Sequence, residues 1–278
     1  MITSTSPSWS AARLDYALAT SRAQGRAALG LYLPVGYPTR TASLDALHLM
    51  AQAADVLELG IPHTEPVLDG PEIQHAVAQA LDAGFRMHDL FTAATELTAS
   101  TTAALLVMSY WAPIEQYSAM AFAHQLAAAG GAGVLIPDLP DSAAATWQKA
   151  ARAAGLHTVP LIPTHAPDAR LAAIGTSSSG MVYAPASPGR TGARRPLNRY
   201  LPRLVRRVRD ATGLPVAVGS GISTPEQAAE VSTYADAVVV GSAVIRRMYA
   251  QAAAPAAAAA AVAADFADGV RRAHRPVA

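Results

Sequence analysis

The chain of 278 residues contains no cysteine at all. Disulfides, thiolate catalysis and cysteine-ligated metal are therefore excluded, and the composition fits a cytoplasmic enzyme. Charge is also scarce: 15% of residues are charged and the net charge is +1. A nucleic-acid binder carries a clustered basic face, and none is visible, so no nucleic-acid partner is expected. The opening Met1-Ile2-Thr3-Ser4-Thr5-Ser6-Pro7 has no basic segment followed by an apolar run, so no signal peptide is expected. The apolar run at 252–264 is shorter than the roughly 20 residues a membrane span needs, is interrupted by Pro255, and is followed by Asp265 and Asp268. It predicts a terminal surface helix within an Ala-rich tail, 252–278, and no membrane contact. The eight histidines are scattered without metal-ligand spacing, and no metal is expected.

Apolar residues are abundant, at 51%. They fall into eight short runs rich in Val, Ile and Leu: Ala28–Pro34, Val56–Ile61, Ala103–Ser109, Gly133–Pro137, Thr158–Ile162, Met181–Ala184, Pro215–Val218 and Ala237–Val240. Runs with so little alternation read as parallel strands buried on both faces. Longer helical stretches separate them, including Ser43–Ala54, Ser118–Ala129, Asp141–Ala154 and Leu197–Ala211. Strict alternation predicts an α/β fold. Eight units with no composition break predict one closed (β/α)8 barrel, a TIM barrel, over residues 1–278. An extra helix at Ala11–Ala23 is placed to close the barrel's bottom. Two helical stretches, Glu72–Ala83 and His88–Ala99, fill the gap between the second and third strands, so one βα connection is expanded.

Chemistry in such barrels sits at the C-terminal ends of the strands. There the segment "LELGIPHTEPVLDGPEIQ", 57–74, places Glu58 inside the second strand and Asp69 eleven residues later on a proline-stiffened loop. If Glu58 points inward, its carboxyl lies in a low-dielectric place and its pKa rises, which suits a group that takes and gives a proton near neutrality. The alternative is a buried Glu paired with a core cation. Asp69 reads equally as a helix N-cap ahead of Gly70-Pro71 or as a functional carboxylate at the barrel mouth. Gly219-Ser220-Gly221 ends the seventh strand and Gly241-Ser242 the eighth. Glycines there, followed by helix N-termini, make a phosphate cradle or simply two tight turns. The stretch "SPGRTGARR", 187–195, is a basic loop after the sixth strand, either a solvated turn or a lid over an anionic substrate. Together these features describe a barrel enzyme using two carboxylates on a small phosphorylated molecule, with no cofactor indicated.

The 57–74 segment resembles the signature of the tryptophan synthase α subunit family, close to LELGxPxSDPxxDGPxIQ. The likeness runs from about Arg13 to Tyr249 through "YLPVGYP" (32–38), "MSYWAPIEQY" (108–117), "VLIPDLP" (134–140), "GRTGAR" (189–194), "GSGIST" (219–224) and "VVGSAVIRR" (239–247), in that order. The family cleaves indole-3-glycerol phosphate to indole and glyceraldehyde 3-phosphate by a cofactor-free retro-aldol reaction in tryptophan biosynthesis. The resemblance implies that Glu58 is the general acid/base and that Asp69 holds the indole N–H. Tyr183 matches a tyrosine beside the catalytic Glu. Thr191 matches the lid threonine that closes onto the Asp, and Arg190 stands in that lid where valine is usual. Gly192, Gly221, Gly241 and Ser242 match the phosphate cradle. Tyr32, Ile73, Val107 and Ser220 are expected to line the substrate pocket, with Ser220 replacing a bulky apolar residue that packs on the indole.

Other departures fall where the family docks its β subunit. Ser-Asp-Pro becomes Thr64-Glu65-Pro66, and an Asn becomes Ala112. Catalytic positions are kept while positions facing that partner differ. Besides an ordinary α subunit, the sequence therefore leaves open a stand-alone lyase releasing free indole for another pathway, a weakly catalytic activator of a β subunit, and a barrel enzyme for a ring-modified indole.

Overall fold

The computed structural model describes residues 9–163, 165–186 and 196–273. In chain order the elements are α1 (Trp9–Ala23), β1 (Ala28–Pro34), α2 (Arg40–Met50), β2 (Val56–Gly60), α3 (Pro71–Asp82), α4 (Met87–Ser100), β3 (Ala104–Met108), α5 (Trp111–Tyr117), α6 (Ala119–Ala128), β4 (Gly133–Leu135), α7 (Asp141–Ala154), β5 (His157–Val159), α8 (Asp168–Ser177), β6 (Val182–Pro185), α9 (Leu201–Thr212), β7 (Val216–Gly219), α10 (Pro225–Ser232), β8 (Ala237–Val240), α11 (Ser242–Ala250) and α12 (Pro255–Arg272).

All eight strands run parallel in the order β5-β4-β3-β2-β1-β8-β7-β6. The ring closes just past β5. There Ile162 N–H donates to Tyr183 O at 2.8 Å, and Tyr183 N–H donates to Pro160 O at 2.9 Å. This is the expected (β/α)8 barrel. Seven of the strands are buried along nearly their whole length, because one face fills the barrel and the other meets the helices. The predicted strands all form, two with the predicted bounds and the others with ends displaced by no more than three residues. Helices α3 and α4 fill the expanded connection between β2 and β3.

The barrel's two ends differ. Under the N-terminal ends of the strands lies α1, whose wholly buried Leu14 packs at Gly180 ahead of β6. Arg13 donates to the Thr101 carbonyl, and Asp15 pairs with His157 at the start of β5. This end is closed, as expected. On the outside, α12 lays a face of small residues against α2, α10 and α11. Gly269 is needed there, since a Cβ would stand 2.5 Å from the Pro225 carbonyl oxygen. The Ala-rich segment is thus docked along one face rather than a loose surface helix. Among the described residues no helix is long and apolar enough to cross a membrane.

Candidate active site

The open end of the barrel holds a cavity of about 530 Å³. Its wall is largely apolar, with Ile73, Met108, Leu135, Ile162, Ile222 and Val239 among its residues, and its polar groups converge from five strands and the turns that follow them. A concave, largely apolar cavity with a few fixed polar groups is the form of a small-molecule site.

Glu58 lies mid-strand in β2, opposite Tyr32 of β1 and Leu106 of β3. It is 4% exposed and faces the cavity. Among the described residues no cation pairs with it, and its Oε2 has no hydrogen-bond partner. Among the described residues the alternative of a core ion pair therefore does not form. Burial pushes its pKa up to about 8, and the nearby charge of Asp69 pushes the same way. Gly60 follows one step along the same face, and a Cβ there would collide with the Tyr32 ring. Glycine at that point is what lets the Tyr32 side chain lie across the floor of the site.

Asp69 reaches the same cavity from the β2–α3 loop. The N-cap of α3 is Gly70, not Asp69. The loop is fastened by its own backbone, Asp69 N–H to Pro66 O at 3.1 Å, and by Gln74, whose Nε2 donates to Asp69 O at 2.9 Å. Asp69 Oδ2 accepts a hydrogen bond from the Tyr110 hydroxyl at 3.2 Å. That hydroxyl in turn accepts from Leu68 N–H at 3.0 Å. Burial raises the Asp69 pKa to about 6, and the Tyr110 bond pulls it down.

Tyr110 was not singled out from the sequence. It lies two residues past β3, at the N-cap of α5, where strand-end chemistry belongs. That position was the available signal.

Tyr183 stands on β6 and lines the cavity. Burial raises its pKa well above the ordinary tyrosine value, and the charge of Glu58 adds to this, while hydrogen bonds from Ser220 oppose it. A Cβ on Gly219 would collide with the Tyr183 hydroxyl, so the first glycine of Gly-Ser-Gly makes room for that ring. Ser220 sits in the left-handed region at φ 55° and lines the cavity beside Gly221. Across from them Gly241 caps α11, which begins at the buried Ser242. The first N–H groups of that helix have no acceptor within it, and its positive end faces the cavity where Gly241 and Ser242 line it. A phosphate group fits there.

Val107 does not join the site. Its cross-strand neighbour is Leu59, on the face of β2 opposite Glu58, so its side chain points out toward the helices. Met108, paired with Gly60, supplies the β3 contribution to the cavity. Arg190, Thr191 and Gly192 lie outside the described residues. Glu65 is exposed on the rim, and Pro66 and Ala112 are half-buried there. Between them stand two exposed apolar side chains, Val67 at 59% and Leu68 at 43%. No group of three or more metal-ligating side chains occurs among the described residues.

A parallel barrel whose mouth sets two carboxyl groups against a glycine-lined helix end is an enzyme site for a small anionic substrate with an apolar body. The tryptophan synthase alpha chain family model matches residues 18–273. Two tryptophan synthase alpha chains are 45% identical, one from Streptomyces coelicolor (93% of this chain, 96% of that one) and one from Thermobifida fusca (83% and 87%). Among solved structures, a chain of Mycobacterium tuberculosis tryptophan synthase superposes with a TM-score of 0.86 at 37% identity, covering 93% of this chain and 98% of that chain. Tryptophan synthase subunit alpha from Legionella pneumophila superposes at 0.85 with 29% identity, covering 94% and 98%. The chain belongs to the tryptophan synthase alpha chain family.

Proposed function

We propose that the chain cleaves indole-3-glycerol phosphate to indole and glyceraldehyde 3-phosphate, and that Glu58 and Asp69 divide the proton chemistry. The carrying observation is that two buried carboxyl groups share one cavity, where burial raises both, to about 8 for Glu58 and about 6 for Asp69, and a Tyr110 hydrogen bond holds Asp69 down while Glu58 Oε2 has no partner among the described residues. Near neutrality Glu58 holds a proton and Asp69 does not.

The phosphate rests on the N-terminus of α11 and the glycines at 221 and 241. The indole ring lies against the aliphatic wall, with its N–H donating to Asp69. Glu58 gives its proton to C3 of the ring, and positive charge develops at the ring nitrogen, where the Asp69 carboxylate stabilises it. The Glu58 carboxylate then takes the proton of the glycerol hydroxyl. The electron pair of that O–H becomes the aldehyde C=O, the C–C bond breaks, and its electrons restore the indole ring. Glu58 ends as it began, protonated, so the cycle balances with no other reagent. Tyr183 packs beside Glu58 and keeps water from it.

We also propose that the rim bearing Glu65, Pro66 and Ala112 docks a tryptophan synthase β subunit. Its support is the pair of large apolar side chains, Val67 and Leu68, exposed beside them on a loop that also carries a reacting group. A partner covering that loop would exclude water from the mouth.

Indole release from indole-3-glycerol phosphate by the purified chain, with and without an added β subunit, tests both statements. Turnover lost in Glu58→Gln is expected. Turnover retained in that variant overturns the role given to Glu58, and a rate that an added β subunit leaves unchanged overturns the docking.

A further inference from the structure

The two ends of the proposed substrate are held by different helices, and those helices are tied to each other. Asp69 belongs to the loop that enters α3, and Gln74 of α3 grips that loop at two carbonyls, Asp69 O at 2.9 Å and Pro66 O at 3.2 Å. The phosphate corner is the first turn of α11. Between the two helices Arg246 Nη1 meets Glu72 Oε1 at 3.1 Å, linking residues 174 positions apart. Both side chains are largely buried, 21% and 24% exposed. One turn further along each helix, the His75 ring stands edge-on to the Tyr249 ring at 5.2 Å. The contacts thus repeat at i and i+3 on both helices, which is the spacing of one helical face.

We infer that the Glu72–Arg246 pair is a clasp that sets the separation between Asp69 and the phosphate-holding end of α11, so that both are positioning residues for the lyase reaction. The inference rests on the proposed function. Its physical basis has three parts. First, Glu72 lies in the opening turn of α3, three residues from Asp69 and next to Ile73, which lines the cavity, so its displacement moves the loop directly. Second, Arg246 neutralises the carboxylate of Glu72, which follows Asp69 by three residues in the chain. Third, the pair is held through a single contact, since Glu72 Oε2 is buried without a hydrogen-bond partner among the described residues. Removing either partner therefore leaves an uncompensated buried charge and no second contact to hold the geometry. A bound molecule that spans Asp69 and α11 feels any change in their separation, and displacement by about 1 Å at a reacting group costs up to about a hundredfold in rate.

The test uses the purified full chain and four variants: Glu72→Gln, Arg246→Gln, the double variant, and Arg246→Lys. Two readouts are taken, kcat and KM for indole release, and amide hydrogen exchange at Val67 and Asp69. Each Gln variant is expected to lower kcat about tenfold while KM moves less than about threefold, because ground-state binding is spread over the whole cavity and the loss is in alignment. The double variant should be no slower than the slower single, the mark of two residues acting through one contact. Arg246→Lys keeps the charge and the single contact and should stay within about threefold of the parent. Exchange at Val67 and Asp69 should quicken about tenfold in the Gln variants. Unchanged kcat with a lowered melting temperature would make the pair structural only. Losses that multiply in the double variant, or unaltered exchange, would also overturn the clasp. If the parent chain released no indole with or without a β subunit, the lyase assignment would fail on its own, and the exchange data alone would decide the clasp.

Discussion

Tyr110 donates its hydroxyl hydrogen bond to Asp69 Oδ2 at 3.2 Å while accepting one from Leu68 N–H, so a single oxygen fixes both the loop and the carboxylate at its end. This contact pulls the Asp69 pKa down against burial, while burial and the charge of Asp69 push Glu58 up to about 8. Among the described residues Glu58 Oε2 has no such donor, and burial keeps Glu58 protonated to a higher pH.

Tyr110→Phe should therefore raise the pKa of Asp69 above about 6, because the bond that pulls it down is gone. The carboxylate would then be lost at a higher pH, and the acid limb of kcat/KM should move up. A fall in kcat/KM of about tenfold at neutral pH is expected for one lost hydrogen bond to a charged group. A pH–rate profile of the variant with an unmoved acid limb would contradict the assignment.

The parent enzyme should show a bell-shaped kcat/KM. Asp69 must be ionised, so activity falls below about 6, and Glu58 must be protonated, so activity falls above about 8. Stopped assays of indole release across this range locate both limbs. A profile that keeps rising past the upper limb would show that Glu58 is not the proton donor.

Stability should follow the same carboxyl with a definite sign. The folded-state pKa of Glu58 is raised from 4.5 to about 8, so its contribution to stability is full below about 4.5 and is lost as pH rises through about 8. Glu58→Gln cannot ionise and escapes that loss. The variant should abolish turnover yet melt at a higher temperature than the parent in alkaline buffer, by on the order of several kcal/mol of stability, with the difference shrinking in mild acid. Calorimetric melting of both proteins at several pH values checks it.

Val107 and Met108 give a paired test of the barrel's two faces. Val107→Ala should cost about 2 kcal/mol of stability and leave KM unchanged, since the cavity it opens is between strand and helix. Met108→Ala should raise KM, since the lost surface faces the substrate. The opposite pattern would mean that β3 is turned the other way.

Ser220 carries its side chain at φ 55°, where a β-branched residue is strongly disfavoured. Ser220→Val should lower stability by about 1–2 kcal/mol, and Ser220→Gly should leave it near the parent value. Melting temperatures of the two variants decide this without reference to activity.

Much of the molecule was determined by the linear sequence. Eight apolar runs without alternation must be buried on both faces, and eight such runs joined by helices leave one economical arrangement, so the strands and the closed barrel were legible before any coordinates. The sequence also placed Glu58 within the second strand and Asp69 and the glycine turns past strand ends, because those positions are set by chain order alone. Tertiary structure decided what chain order cannot express. Whether Asp69 caps α3 or faces the cavity depends on where the β3–α5 turn brings Tyr110, forty-one residues away. Whether Val107 or Met108 faces the substrate depends on strand register, since a step of one residue reverses the face. The clasp between Glu72 and Arg246 exists only because barrel closure sets α11 beside α3. Periodicity and spacing record local geometry, whereas protonation, facing and long-range pairing follow from which side chains the closed barrel brings within a few ångströms of one another.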